Sequence, residues 1–110
     1  MIEENSAPIK VTGPARNRSK VLIVDDEEIN LKLLRVSLRA QYEIVEAGNG
    51  REALQKVEKE NPDIVLLDIM LPDIDGFAVC ERIRSDPKRQ GLPVLMLTAL
   101  KDLEDRVRAL

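Results

Sequence analysis

From Lys20 onward, short apolar runs rich in β-branched residues alternate with longer stretches whose apolar residues recur at helical spacing. The runs lie at residues 21–24, 42–45, 64–67 and 94–97, and the first, third and fourth are apolar without a break. An unbroken run of that length suits a strand covered on both faces, and strands separated by helices pair in parallel because the crossover needs a helix's length of chain. The second run alternates, as an edge strand does. The expected class is therefore α/β.

The intervening helices can be placed by their spacing. Ile29, Leu33 and Val36 define one apolar row, and Leu31, Leu34 and Leu38 a second row around the same helix that wants cover of its own. Asn49 with Glu52 forms a candidate capping box for a helix carrying Ala53, Leu54 and Val57, which Asn61-Pro62 ends. A third helix follows Gly76, with Phe77, Cys80 and Ile83 as its inward stripe, and Asp86-Pro87 stops it. Leu103, Val107 and Leu110 mark a fourth.

Three carboxylates leave the carboxyl ends of these strands, Asp25 and Asp26 after the first and Asp68 after the third. Open α/β sheets bind ligands beyond those ends, where the strand order reverses. Carboxylates gathered there repel one another and call for a cation. With no histidine and a single cysteine, Cys80, the usual zinc ligand sets are excluded, so oxygen must hold any metal. Magnesium suits such a site, since it takes one or two carboxylates, several waters and a phosphate oxygen. An ionised carboxylate can in turn attack phosphorus and become an aspartyl phosphate, and Asp68 is the candidate for that role. Taken alone, Asp25-Asp26-Glu27-Glu28 would also suit a helix amino terminus, and Asp68 a turn.

The composition narrows the function classes. At 110 residues the chain holds one domain, and 44% apolar with 34% charged residues is the balance of a chain that folds. Only Tyr42 and Phe77 are aromatic and the net charge is −3, which leaves neither stacking platform nor attraction for nucleic acid. No apolar run approaches the roughly 18 residues of a membrane span, and no signal-peptide core precedes the first strand, so a cytoplasmic location is expected. Residues 1–19, with Pro8, Gly13 and Pro14 and no sustained period, read as a flexible leader.

Three blocks carry a family resemblance: KVLIVDDE at 20–27, PDIVLLDIMLPDIDG at 62–76 and PVLMLTAL at 93–100. Together, in this order and spacing, they resemble the receiver domain of two-component response regulators over residues 20–110. The resemblance implies a flavodoxin-like doubly wound parallel sheet of order 2-1-3-4. It implies that Asp25 and Asp26 hold Mg2+ together with Asp68 and the backbone carbonyl of Met70, that Asp68 is phosphorylated, and that Thr98 contacts the phosphoryl group. Reorientation of Thr98 would then move the loop and helix that follow it. Pro72 and Gly76 match the turn after the acceptor, and Met70 and Leu100 flank the site as residues that set phosphoryl lifetime, both apolar and so favouring slow hydrolysis. The partners implied are a sensor histidine kinase or phosphotransfer protein and an output domain or partner protein.

The family's fifth strand and helix, with the lysine that pairs with the phosphoryl group, have no counterpart here, so an incomplete receiver is expected. Strand four would keep an open edge and the row Leu31, Leu34 and Leu38 would lack its expected cover, and self-association through that edge is the expected consequence. Two other readings remain at this point. A non-phosphorylated interaction module would make the site vestigial. A magnesium-dependent phosphatase of the haloacid-dehalogenase type would also use a strand-end aspartate, but expects a second aspartate two residues later, where this chain has Met70. A nucleotide-binding fold would need a glycine-rich turn after strand one, and that turn has no glycine. Asp73 and Asp75 are expected as turn and cap residues, Cys80 as a small core residue, and Lys88-Arg89 as solvated loop.

Overall fold

The computed structural model describes residues 18–97. Within them four strands alternate with three helices: β1 (Lys20–Val24), α1 (Glu28–Leu38), β2 (Glu43–Ala47), α2 (Gly50–Glu60), β3 (Ile64–Asp68), α3 (Gly76–Arg84) and β4 (Val94–Leu97), with a short 3-10 turn at Pro87–Arg89 before β4. The strands are all parallel, in the order β2-β1-β3-β4. The expected α/β sheet of order 2-1-3-4 is therefore present. Thr98, Leu100 and the helix expected around Leu103, Val107 and Leu110 lie outside the described residues, as does the leader through residue 17.

Because side chains alternate along a strand, β1 feeds two cores. Leu22 and Val24 join Val65, Leu67 and Ala47 under α2 and α3, where Ala53, Val57, Val79 and Ile83 close that layer. Val21 and Ile23 point the other way and pack with Leu31 of α1, flanked by Leu34, Leu38, Tyr42, Ile44, Ile64 and Leu66. Leu22, Ile23 and Leu67 are fully buried, each such side chain contributing about 1.5–3 kcal/mol.

Three sequence expectations about facing are corrected. On α1 the row Leu31, Leu34, Leu38 is the packed one, with Leu31 only 7% exposed, whereas Ile29, Leu33 and Val36 face outward, Leu33 at 60%. Both rows have helical spacing, so periodicity alone could not rank them; the docking of the helix on Val21 and Ile23 does. On α3, Phe77 is 64% exposed and the inward stripe is Gly76, Val79 and Ile83, with Cys80 at its margin. Gly76 is pressed against the backbone of Asp68 and Ile69, which fixes the inward side and turns Phe77 about 100° away from it. On β4, Val94 and Met96 pack under α2 and α3, but Leu95 on the opposite face is exposed; among the described residues α1 packs mainly on β1 and β2, at the other side of the sheet.

Local chemistry explains where the elements start and stop. Asn49 accepts the Glu52 amide at 2.8 Å, as anticipated, while the Glu52 carboxylate reaches one residue beyond the cap and accepts the Gly48 amide at 2.8 Å, closing the start of α2 reciprocally. The helix ends on Asn61 at φ 51°, a left-handed conformation asparagine tolerates, just before Pro62. Arg35 of α1 bonds Glu46 on the edge strand β2 and lies 3.5 Å from Glu28; the Glu46 hydrogen bond raises the guanidinium pKa further above its ordinary value. Arg89 is not the solvated loop residue expected. Its side chain is 13% exposed and donates to Asn61 Oδ1 at 2.7 Å, tying the turn after α3 to the end of α2.

Candidate functional site

The carboxyl ends of β1 and β3 are neighbours, because Val24 pairs with Leu67 across the parallel ladder. One residue further on, Asp68 is the last residue of β3 and Asp25 the first beyond β1, and Asp26 follows at the rim. One carboxylate oxygen of each residue lies within 4.8 Å of the other two. Asp25 is 7% exposed and Asp68 5%, whereas Asp26 is exposed. Two nearly buried carboxylates at that spacing are costly unless hydrogen bonds and a cation compensate them.

Part of the compensation comes from the chain. Asp25 Oδ1 accepts the Glu27 amide at 2.9 Å and Oδ2 accepts Asn30 Nδ2 at 3.1 Å, while its own amide bonds the Ala47 carbonyl at 3.1 Å. Both oxygens are thus oriented, but neither caps a helix: α1 begins at Glu28, and the cap position is Glu27, which makes no side-chain cap bond. The helix-capping reading of the acidic run accordingly finds no support at Asp25. Asp68 Oδ1 accepts the Met70 amide at 3.2 Å, folding the chain back over the carboxylate. Gly76 closes this loop by donating to the Ile69 carbonyl at 2.8 Å. A Cβ at position 76 would stand 2.7 Å from the Asp68 carbonyl oxygen, so only glycine permits the approach.

The structure therefore brings together Asp25, Asp26 and Asp68, and it places the backbone of Met70 against Asp68. Thr98 follows Leu97, which sits opposite Asp68 in the β3–β4 register, and lies outside the described residues. Two contributors escaped the sequence reading. Asn30 orients Asp25 from the first turn of α1, a relationship only the turn geometry reveals. Asp73, expected as a turn residue, spans to α2 and accepts the Gly50 and Arg51 amides at 2.8 and 2.9 Å. The Arg51 amide, foremost, and the other amide bonds hold its carboxyl below the usual carboxylate range.

The donor set fits a hard divalent ion. It offers three carboxylates and no sulfur or imidazole, with one carboxylate open to solvent, the arrangement that leaves room for water and a phosphate oxygen.

Residues 21–110 match the family model of the response regulator receiver domain. The chain belongs to that family. The receiver is 42% identical over 93 residues to the response regulator PleD of Caulobacter vibrioides, an alignment covering 84% of this chain and 20% of PleD. It is similar in structure to the chemotaxis response regulator CheY4 of Vibrio cholerae, with a TM-score of 0.72, 33% identity and coverage of 82% of this chain and 76% of that one. It is similar also to the phosphorylated cyanobacterial phytochrome response regulator RcpA, with a TM-score of 0.69, 28% identity and coverage of 84% and 73%. The chain spans about a fifth of the length of PleD. Among the described residues no helix is long and apolar enough to cross a membrane.

Proposed function

We propose that this receiver accepts a phosphoryl group on Asp68 from a histidine kinase or phosphotransfer protein and passes the change to an output domain or partner. The observation that carries the reading is the cluster of Asp25, Asp26 and Asp68 at the carboxyl ends of adjacent strands, in a chain of the receiver family. Similarity to RcpA, a phosphorylated response regulator, supports it.

In this reading Asp25, Asp26 and Asp68, with the carbonyl of Met70, would hold Mg2+, and the ion would supply positive charge to offset that on the phosphoryl oxygens. The chain's own groups do the rest. Asn30 and the Glu27 amide keep Asp25 aimed at the cluster, and the Met70 amide donates to one carboxylate oxygen of Asp68. The Asp68 carboxylate forms the new O–P bond as the donor's P–N bond breaks, and the electron pair leaves on the imidazole nitrogen. Thr98 donates to the phosphoryl group and transmits its arrival. The apolar character of Met70 and Leu100, at positions carried over from the family resemblance, favours slow hydrolysis of the acyl phosphate.

The reading is of a cytoplasmic signalling domain, preceded by residues 1–19 as a leader, rather than of an enzyme with turnover. Self-association through the second edge of β4 belongs to the same reading as a further contact. The chemistry is tested by incubating the chain with acetyl phosphate with and without Mg2+ and following intact mass. A metal-dependent gain of one phosphoryl group, absent from Asp68→Asn, is expected. Folded protein that gains none supports an interaction module without phosphorylation, and sustained release of phosphate from phosphoesters would indicate a phosphatase.

A further inference from the structure

We infer that Asp73 is a positioning residue for the site: by fastening the loop between Asp68 and α3 to the amino end of α2, it sets the backbone of Met70 beside the carboxylate cluster. Its effect on metal affinity rests on the magnesium site proposed above.

The loop runs from Ile69 to Asp75 and exposes Met70, Pro72, Asp73 and Asp75, so few buried side chains hold it. Its polar ties are specific. Met70 donates to Asp68 Oδ1 at 3.2 Å and Gly76 donates to the Ile69 carbonyl at 2.8 Å, which close the loop on its own root. The far side is tied by Asp73 alone among the loop's carboxylates, since Asp75 is occupied at 3.0 Å by the Ala78 amide, at the start of α3. Asp73 Oδ1 accepts the amides of Gly50 and Ile74, both at 2.8 Å, and Oδ2 accepts that of Arg51 at 2.9 Å.

α2 does not depend on this bond to begin. Asn49 and Glu52 already form its reciprocal cap, satisfying the amides of Glu52 and Gly48. Gly50 and Arg51 are the remaining first-turn donors, and a residue 23 positions further along supplies their acceptor. The contact is close as well as polar: a Cβ on Gly50 would stand 3.0 Å from the Ile74 Cβ and 2.9 Å from a Val79 methyl. What Asp73 adds beyond the local cap is therefore a tie between α2 and the loop that carries Met70.

The test is amide hydrogen exchange by NMR on metal-free wild type, Asp73→Ala and Asp73→Asn, followed by Mg2+ titration of each. Asp73→Ala should speed exchange about fivefold at Gly50 and Arg51, and also at Met70 and Gly76, which Asp73 does not touch. Its Mg2+ Kd should rise by a similar factor. Asp73→Asn keeps one carbonyl oxygen for the Gly50 amide and should recover part of both effects; it carries the same comparison if the alanine variant does not fold. Faster exchange confined to Gly50, Arg51 and Ile74, with Met70 and Gly76 at wild-type rates, would overturn the inference and leave Asp73 as a helix cap. Wild-type protein that binds no Mg2+ would overturn the metal-site reading instead, while the exchange rates still decide the role of Asp73.

Discussion

Asp25 and Asp68 end neighbouring parallel strands, and their carboxylate oxygens come within 4.8 Å of each other although both residues are almost inaccessible to water. Such a pair stores repulsion that a divalent cation relieves, so the receiver should be a more stable protein with Mg2+ than without it. At a concentration ten times Kd the gain is about 1.4 kcal/mol, read as a rise in Tm. Asp26→Asn should shrink that rise without lowering the melting temperature of the metal-free protein, because Asp26 is exposed and removing one like charge relieves the others. A rise in Tm that is the same in the variant would place the cation elsewhere.

Gly76 is required by contact rather than by an unusual φ. Gly76→Ala puts a methyl 2.7 Å from the Asp68 carbonyl oxygen and 2.9 Å from Ile69 Cα, so a loss of about 1–3 kcal/mol in urea unfolding is expected together with weaker Mg2+ binding. Gly91 has nothing within 4 Å of the same added atom, and Gly91→Ala should stay within about 0.5 kcal/mol of wild type. Equal costs at the two positions would contradict the assignment.

The two rows of α1 make opposite predictions. Leu31→Ala opens a cavity against Val21 and Ile23 and should cost about 2–5 kcal/mol, whereas Leu33→Ala, on the outward row, should cost little. Denaturant midpoints of the two variants decide it, and a larger loss at Leu33 would reverse the docking of the helix.

Asp73 gives a pH signature. Its carboxyl is held below the usual range by amide donors, so the folded state favours the ionised form. That contribution is complete above the unfolded carboxylate pKa and disappears as the pH falls through the depressed folded value. The gap in Tm between wild type and Asp73→Ala should therefore be constant near neutrality and close below about pH 4. A gap that persists unchanged into acid would mean the carboxylate charge is not what α2 senses.

Much of this receiver is legible in its sequence. The alternation of runs and the carboxylates at strand ends are local signals, and once β1 and β3 are neighbours, Asp25, Asp26 and Asp68 must meet. The reciprocal cap of Asn49 and Glu52 spans four residues and was equally readable. What escaped was non-local or degenerate. Two apolar rows of α1 have the same spacing, and only contact with β1 ranks them. Phe77 turned outward because Gly76 had to turn inward, a constraint set by the Asp68 backbone. The Asp73 bond to Gly50 joins positions 23 apart, and Arg89 is tied to Asn61 at the end of α2, so neither leaves a pattern in its own neighbourhood.

The central claim is the role of Asp68, and chemical trapping tests it most directly. After incubation with Mg2+ and acetyl phosphate, borohydride reduces an aspartyl phosphate to homoserine, whose position peptide sequencing then reads. The account predicts homoserine at position 68, dependent on Mg2+ and lost in Asp68→Asn. Folded, metal-loaded protein that keeps an unmodified Asp68, or that carries the label at another carboxylate, would contradict it.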